Sequence, residues 1–186
     1  LWWKVDNQSK NACVNGPATI AAYLLSQVCA EPKYLTLAQQ IFSWERATLF
    51  DTNTGAVFDA INHNGRLATF SLTYNQGTFI GAANYLGHTN DARLAADFMM
   101  NTLSSGGIMP AYRQSGDLGG FHGIGARWLA KSAAQHGWTN YQEWLRKNAD
   151  AAWSVRRPAD NLSWSRWSQP TSTRELYSWA CSSAVV

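Results

Sequence analysis

Apolar positions along this chain recur at intervals of three and four residues, the spacing of helices that bury one face. From Asn11 to Val28, Ala12, Ile20, Tyr23, Leu24 and Leu25 share a side, and Pro32 follows the end. Pro32 suits the first turn of a second helix, which runs through Tyr34, Leu35, Leu37, Ala38, Ile41, Phe42 and Trp44 to Leu49. Asp51 to Gly55 is a turn cluster. Ala56 to Ile61 then alternates like a strand, and Leu67 to Leu72 balances it across Asn62–His63–Asn64–Gly65, which predicts a small hairpin. Helical spacing resumes from Gln76 to Leu86, and Thr89–Asn90–Asp91 caps a further helix running to about Leu103. After Ser104 to Gly107, a short extended piece over 108–112 and a glycine-containing loop over 113–120 lead into a helix from Phe121 to Gln135. There Gly123, Gly125 and Ala126 allow close packing on a neighbour. Thr139–Asn140 caps a helix through Tyr141, Trp144, Leu145, Ala149, Ala152 and Trp153. Residues 154–173 read as irregular, and a last helix is expected from Ser172 or Thr173.

These elements repeat. Three lead helices begin in small residues and polar amides, at Asn15–Gly16–Pro17–Ala18, Gln76–Gly77 and Phe121–His122–Gly123. Each is followed, after a short turn, by a second helix with an aromatic or leucine just inside. The lead helices start roughly 61 and 45 residues apart, with short links inside each pair and long, Gly- and Asn-rich links between pairs. The pattern predicts an all-α chain of three α/α-hairpins and an unpaired last helix, about three and a half hairpins, with small β-hairpin-like loops. The long loops would gather at one end, where a binding site is built.

One such start is chemically unusual. Thr73–Tyr74–Asn75–Gln76–Gly77 places an aromatic ring, two primary amides and a glycine at the entrance of an apolar, small-residue helix. A ring face together with donors and acceptors is what a neutral polyhydroxylated ligand such as a sugar requires. The plainer alternative is that Asn75 caps the helix and Gln76 satisfies nearby backbone groups.

Composition narrows the classes. In 186 residues only 15% are charged and 46% are hydrophobic, which excludes a disordered or highly charged arm. The net charge of +3 comes from basic residues spread along the chain, so there is no nucleic-acid footprint. No apolar run approaches the ~18 residues that span a bilayer, and no membrane insertion is expected. Cys13 and Cys29 lie on one expected helix, ~24 Å apart along its axis, too far to bridge. With Cys181 they read as buried free thiols. His63, His88, His122 and His136 show no ligand spacing, so neither a metal nor another cofactor is expected. Among ten tryptophans, Trp44, Trp128, Trp144 and Trp153 take core positions, and of the adjacent pair Trp2 and Trp3, one can face a cleft.

In order along the chain stand Trp2–Trp3, Lys10–Asn11–Ala12 with Asn15, Tyr34–Leu35 with Ala38, Gly55–Ala56–Val57–Phe58–Asp59 and Thr73–Tyr74–Asn75–Gln76–Gly77. Phe121–His122–Gly123–Ile124, Arg127–Trp128–Leu129–Ala130, Asn148–Ala149–Asp150–Ala151–Ala152–Trp153 and Ser182–Ser183–Ala184–Val185 follow. Taken together, this succession resembles glycoside hydrolase family 76, the endo-α-1,6-mannanases and their relatives.

The resemblance implies an (α/α)6 toroid of which residues 1–186 form a single partial domain. It also implies retaining cleavage of α-1,6-linked mannan or mannooligosaccharides by two consecutive aspartates placed before the Trp–Trp segment. None of the twelve acidic residues here adjoins another, so both catalytic carboxylates are expected upstream of Leu1 and none in this chain. Carried over by matching position as sugar-binding residues are Tyr74, Asn75 and Gln76 with Asp59 and Asn15; Trp3 is the better of the two tryptophans for stacking on a pyranose, and Phe121 with His122 opens an inner helix that lines the cleft. The family also implies an extracellular, periplasmic or cell-surface location. The open edge of an incomplete ring predicts an apolar patch that takes up a missing N-terminal portion or a second copy. Two other readings stay open. A toroid sugar epimerase needs histidines at the ends of inner helices, where only His122 stands; a non-catalytic carbohydrate-binding or interaction module needs no carboxylate pair.

Overall fold

The computed structural model describes residues 1–184; Val185 of the last motif lies outside them. Three antiparallel helix pairs follow one another: α1 (Ala12–Cys29) with α2 (Pro32–Thr48), α3 (Thr73–Tyr85) with α4 (Thr89–Phe98), and α5 (Phe121–His136) with α6 (Thr139–Ser154). α1, α3 and α5 pack side by side as the inner layer, and each carries its own partner on the outside. The expected three hairpins are present.

α3 is the centre of this arc. From Asn75 to Asn84 every residue is buried, as befits a helix enclosed by α1, α4 and α5. Phe79 and Ile80 are fully buried, and Phe79 stacks on Phe50 with ring centroids 4.3 Å apart and meets Phe42 at a tilt, 5.3 Å away. Burying a ring of that size contributes about 2–3 kcal/mol. The inner helices come close because their contact points lack side chains. A Cβ on Gly77 would stand 2.6 Å from the Cα of Gly125, and one on Gly125 would stand 2.8 Å from the Thr73 carbonyl oxygen. α3 and α5 therefore touch backbone to backbone at their first turns.

A three-stranded antiparallel sheet lies at the same end. β1 (Ser9–Asn11) pairs with β2 (Ala60–Asn62), and β2 with β3 (Leu67–Ala68). The expected hairpin is present but shorter, because Val57 bridges to Phe50 instead of joining β2, and Ser9–Asn11 adds a strand.

Several other expectations are corrected. The last helix, α7 (Ser178–Ser182), starts later than Ser172 because the Arg157 guanidinium binds the carbonyls of Ser172 and Arg174, each at 2.9 Å, and withdraws them from helical pairing. α4 gives way to a π-helical turn over Met99–Leu103. Trp153 is 64% exposed beneath the Arg156 guanidinium, 3.8 Å from its ring centroid, and is not core. Cys29 is exposed, and Cys13 and Cys181 are half-buried. The helices beginning at Thr89 and Thr139 have no side-chain cap.

Candidate functional site

α3 begins three residues earlier than its apolar pattern predicts. The Gln76 N–H donates to the Leu72 carbonyl at 3.2 Å, so Tyr74 and Asn75 belong to the first helical turn. That removes Asn75 from the capping role, since Leu72 is the N-cap and no side chain caps the helix. Asn75 instead donates its amide to Asp59 Oδ1 at 3.1 Å, and the Tyr74 hydroxyl donates to the same oxygen at 2.9 Å. Asp59 precedes β2, and its other oxygen has one distant donor, Asn11 Nδ2 at 3.5 Å. The carboxylate is half-buried. One oxygen is fixed by two donors, and the other keeps lone pairs for a ligand.

The phenol of Tyr74 is held protonated. Burial pushes its pKa up first, and the neighbouring Asp59 and Cys13 push it further. It remains a donor to Asp59 throughout the neutral range. Burial, followed by the Asp59 charge, likewise raises the Cys13 thiol, which stays a thiol.

Phe121 completes an aromatic wall. Its ring centroid lies 4.1 Å from that of Tyr74, and Tyr112 meets it edge-on at 6.2 Å. Behind this wall sits a locked set that the sequence did not reveal. Tyr112 stacks on His122 at 4.7 Å and accepts the Thr73 N–H at 3.1 Å. His122 bonds Thr73 Oγ1 through Nδ1 at 3.3 Å and the Ser165 carbonyl through Nε2 at 3.2 Å. Burial is the main cause that lowers the His122 pKa to about 4. With both ring nitrogens engaged inside the protein, His122 cannot move protons for a substrate, which removes the support for an epimerase.

The structure thus brings Asp59, Tyr74, Asn75 and Phe121 together, and commits Gln76 and Asn15 to backbone groups. Gln76 is fully buried, with Oε1 accepting the Val57 N–H at 2.6 Å and Nε2 donating to the Gly55 and Ala95 carbonyls at 2.8 and 2.9 Å. The plainer alternative therefore holds for Gln76, which is a staple and has no atom left for a sugar. Asn15 is also fully buried; its amide donates to the carbonyls of Asn11 at 2.8 Å and Leu1 at 3.1 Å. Trp3 is 52% exposed with the Lys4 ammonium 4.2 Å from its ring centroid, and among the described residues it makes no hydrogen bond to the Asp59 cluster. Asn11, which sequence matching placed only in a motif, contacts Asp59 directly.

The sequence profile of Glycosyl hydrolase family 76 matches residues 1–183. The chain belongs to this family. Among solved family 76 structures, the α-1,6-mannanase of Salegentibacter sp. HEL1_6 is 30% identical, with a TM-score of 0.89 over 100% of this chain and 60% of that one. An inactive variant of that mannanase, with two aspartates replaced by asparagine, was solved with α-1,6-mannotriose; it is 29% identical, with a TM-score of 0.90 and the same coverage. The Lin0763 protein of Listeria innocua is 26% identical, with a TM-score of 0.87 over 95% of this chain and 54% of that one. The chain thus spans 60% of the length of the two mannanase structures. No curated protein matches it. The three-hairpin arc is accordingly of the α/α-toroid type of family 76 structures.

Proposed function

We propose that this chain forms the substrate-side wall of an α-1,6-mannan cleft in a retaining glycoside hydrolase. The observation that carries the reading is the Asp59 carboxylate, pinned through one oxygen by Tyr74 and Asn75, beside the Tyr74–Phe121 ring pair. The free oxygen accepts sugar hydroxyls, and the ring faces take the C–H surface of a pyranose. Two related structures hold α-1,6-mannooligosaccharides, which supports the choice of sugar. Retaining cleavage requires two carboxyls ~5–5.5 Å apart. No two acidic residues of this chain are consecutive, so its part in the reaction is to hold and orient the sugar while an aspartate pair supplies nucleophile and acid. A location outside the cytoplasm, where such a polymer is met, goes with this reading.

The test is calorimetric titration of the chain with α-1,6-mannotriose. Saturable binding that Asp59→Ala and Tyr74→Phe both weaken by about tenfold or more supports the reading. An absence of binding, or binding indifferent to both substitutions, overturns it. A non-catalytic carbohydrate-binding role is favoured by the lack of consecutive aspartates, and release of oligosaccharides from α-1,6-mannan by the whole protein decides against it.

A further inference from the structure

The small sheet has a second face. Paired residues of an antiparallel ladder point the same way and neighbours point oppositely. Asn11 pairs with Ala60 and reaches Asp59, so Lys10 and its partner Ile61 point away from that cleft. On that far side they line a separate pocket of about 340 Å³, within the range of small-molecule sites. Its walls come from three distant parts of the chain: Trp2 near the start, Trp44 and Thr48 at the end of α2, and Asn62 and His63 at the β2–β3 turn.

The Lys10 ammonium sits 4.8 Å from the ring centroid of Trp2 and 5.2 Å from that of Trp44. Two indoles hold it in place by cation–π attraction, yet among the described residues it has no hydrogen-bond acceptor and no ion pair. Its three N–H donors are therefore unspent. The His63 ring, just past the end of β2, makes no hydrogen bond among the described residues either. None of the lining residues is acidic. The pocket thus combines a fixed cation, an uncommitted imidazole and two indole rings, with no acidic side chain in its lining.

We propose that this pocket is a second glycan site, opposite the Asp59 cleft, which takes a pyranose unit bearing a phosphate monoester. The indoles supply the surface a sugar ring stacks on. The three donors of the Lys10 ammonium, beside the His63 ring, suit the three acceptor oxygens of a phosphate, whereas a planar carboxylate is matched by the fork of an arginine, which the pocket lacks. The choice of mannose as the sugar rests on the mannan reading above; the choice of the anion does not.

The experiment follows tryptophan fluorescence while the protein is titrated separately with mannose 6-phosphate, glucose 6-phosphate, mannose and inorganic phosphate. The expected result is a saturable change with mannose 6-phosphate, about tenfold or more tighter than with mannose or phosphate alone. Lys10→Met preserves the stem that packs on the indoles and should weaken binding by about tenfold or more, with Lys10→Glu abolishing it. Equal binding of the two sugar phosphates supports the pocket and counts only against mannose as its sugar. Failure of mannose 6-phosphate to saturate, or binding unchanged in both Lys10 variants, overturns the proposal. Either outcome is independent of mannotriose binding at Asp59, so the two sites fail separately.

Discussion

At the far end of α3, Asn84 gives its amide N–H to Gln135 Oε1 at 2.9 Å and meets His136 Nε2 at 2.7 Å. At the near end, Tyr74 and Asn75 both donate to one oxygen of Asp59 and leave the other with a single donor at 3.5 Å. Both ends are polar and both bridge α3 to another part of the chain. The far cluster is closed: both functions of the Asn84 amide are spent on α5. The near cluster carries a charged group with capacity to spare, at the end where the long loops gather. An acceptor left open is what separates a site from a fastening, and residue type alone does not reveal it.

The largest effect expected comes from breaking a fastening. Gln76→Leu keeps most of the volume but leaves the Val57 N–H and the Gly55 carbonyl without partners, and the Ala95 carbonyl with only the Met99 N–H. At 1–3 kcal/mol for each orphaned buried group, the loss should be roughly 4 kcal/mol. Denaturant unfolding should report it, and a loss under about 1 kcal/mol would mean those backbone groups find other partners.

Next in size is a pH effect set by two buried groups. His122 is depressed to about 4 behind the site, so between that value and its unfolded value the unfolded chain binds the extra proton. Its contribution to stability is lost as pH falls through that window. Glu45, fully buried with neither oxygen hydrogen-bonded among the described residues, is raised to about 8, mainly by burial. Here the folded chain binds the extra proton, and stability is lost as pH rises from the ordinary carboxylate range toward 8. At full extent His122 is worth roughly 3 kcal/mol and Glu45 roughly 5; they offset each other across the overlap of their windows, so the net fall from there to pH 8 is about 2 kcal/mol. The melting temperature should therefore be highest on the acid side of neutral and fall in both directions. Glu45→Gln should flatten the alkaline limb alone; an unchanged limb would show that Glu45 is already ionised.

Asp59→Asn sharpens the contrast itself. Stability should change little, because the group is half-exposed, while affinity for α-1,6-mannotriose should drop by about 10–100-fold with loss of the charged acceptor. The smallest effect belongs to the far cluster, where Asn84→Ala should cost about 1 kcal/mol and leave mannotriose affinity unchanged. A variant at Asn84 that weakened binding as much as one at Asp59 would erase the distinction.

The hairpins were readable because helical periodicity is local and each helix buries a continuous face. The strand Ser9–Asn11 was not, because three polar residues carry no alternation and their pairing lies about fifty residues away. The displaced start of the last helix depends on Arg157, fifteen residues upstream of Ser172, and was equally invisible. The motif around Tyr74 marked the first turn of α3, where Tyr74 and Asn75 meet Asp59. What it could not do was separate Asn75 from Gln76, neighbours with the same amide chemistry: one faces Asp59, the other three backbone groups. Asn15 was misplaced for the same reason. Tyr112 left no signal and His122 was legible only as the opening of an inner helix, since stacking and shared hydrogen bonds across 112, 122 and 165 arise only once the loops fold together.

The glycine contact between α3 and α5 has a thermodynamic consequence. Tyr74 and Phe121 project from two helices whose separation is set by main chain meeting main chain at Gly77 and Gly125, with no side chain between them to change rotamer. A wall built this way is stiff before any ligand arrives, so little conformational freedom remains to be surrendered on binding. Amide exchange in the first turns of both helices should then be nearly as slow in the free protein as in the sugar-bound one.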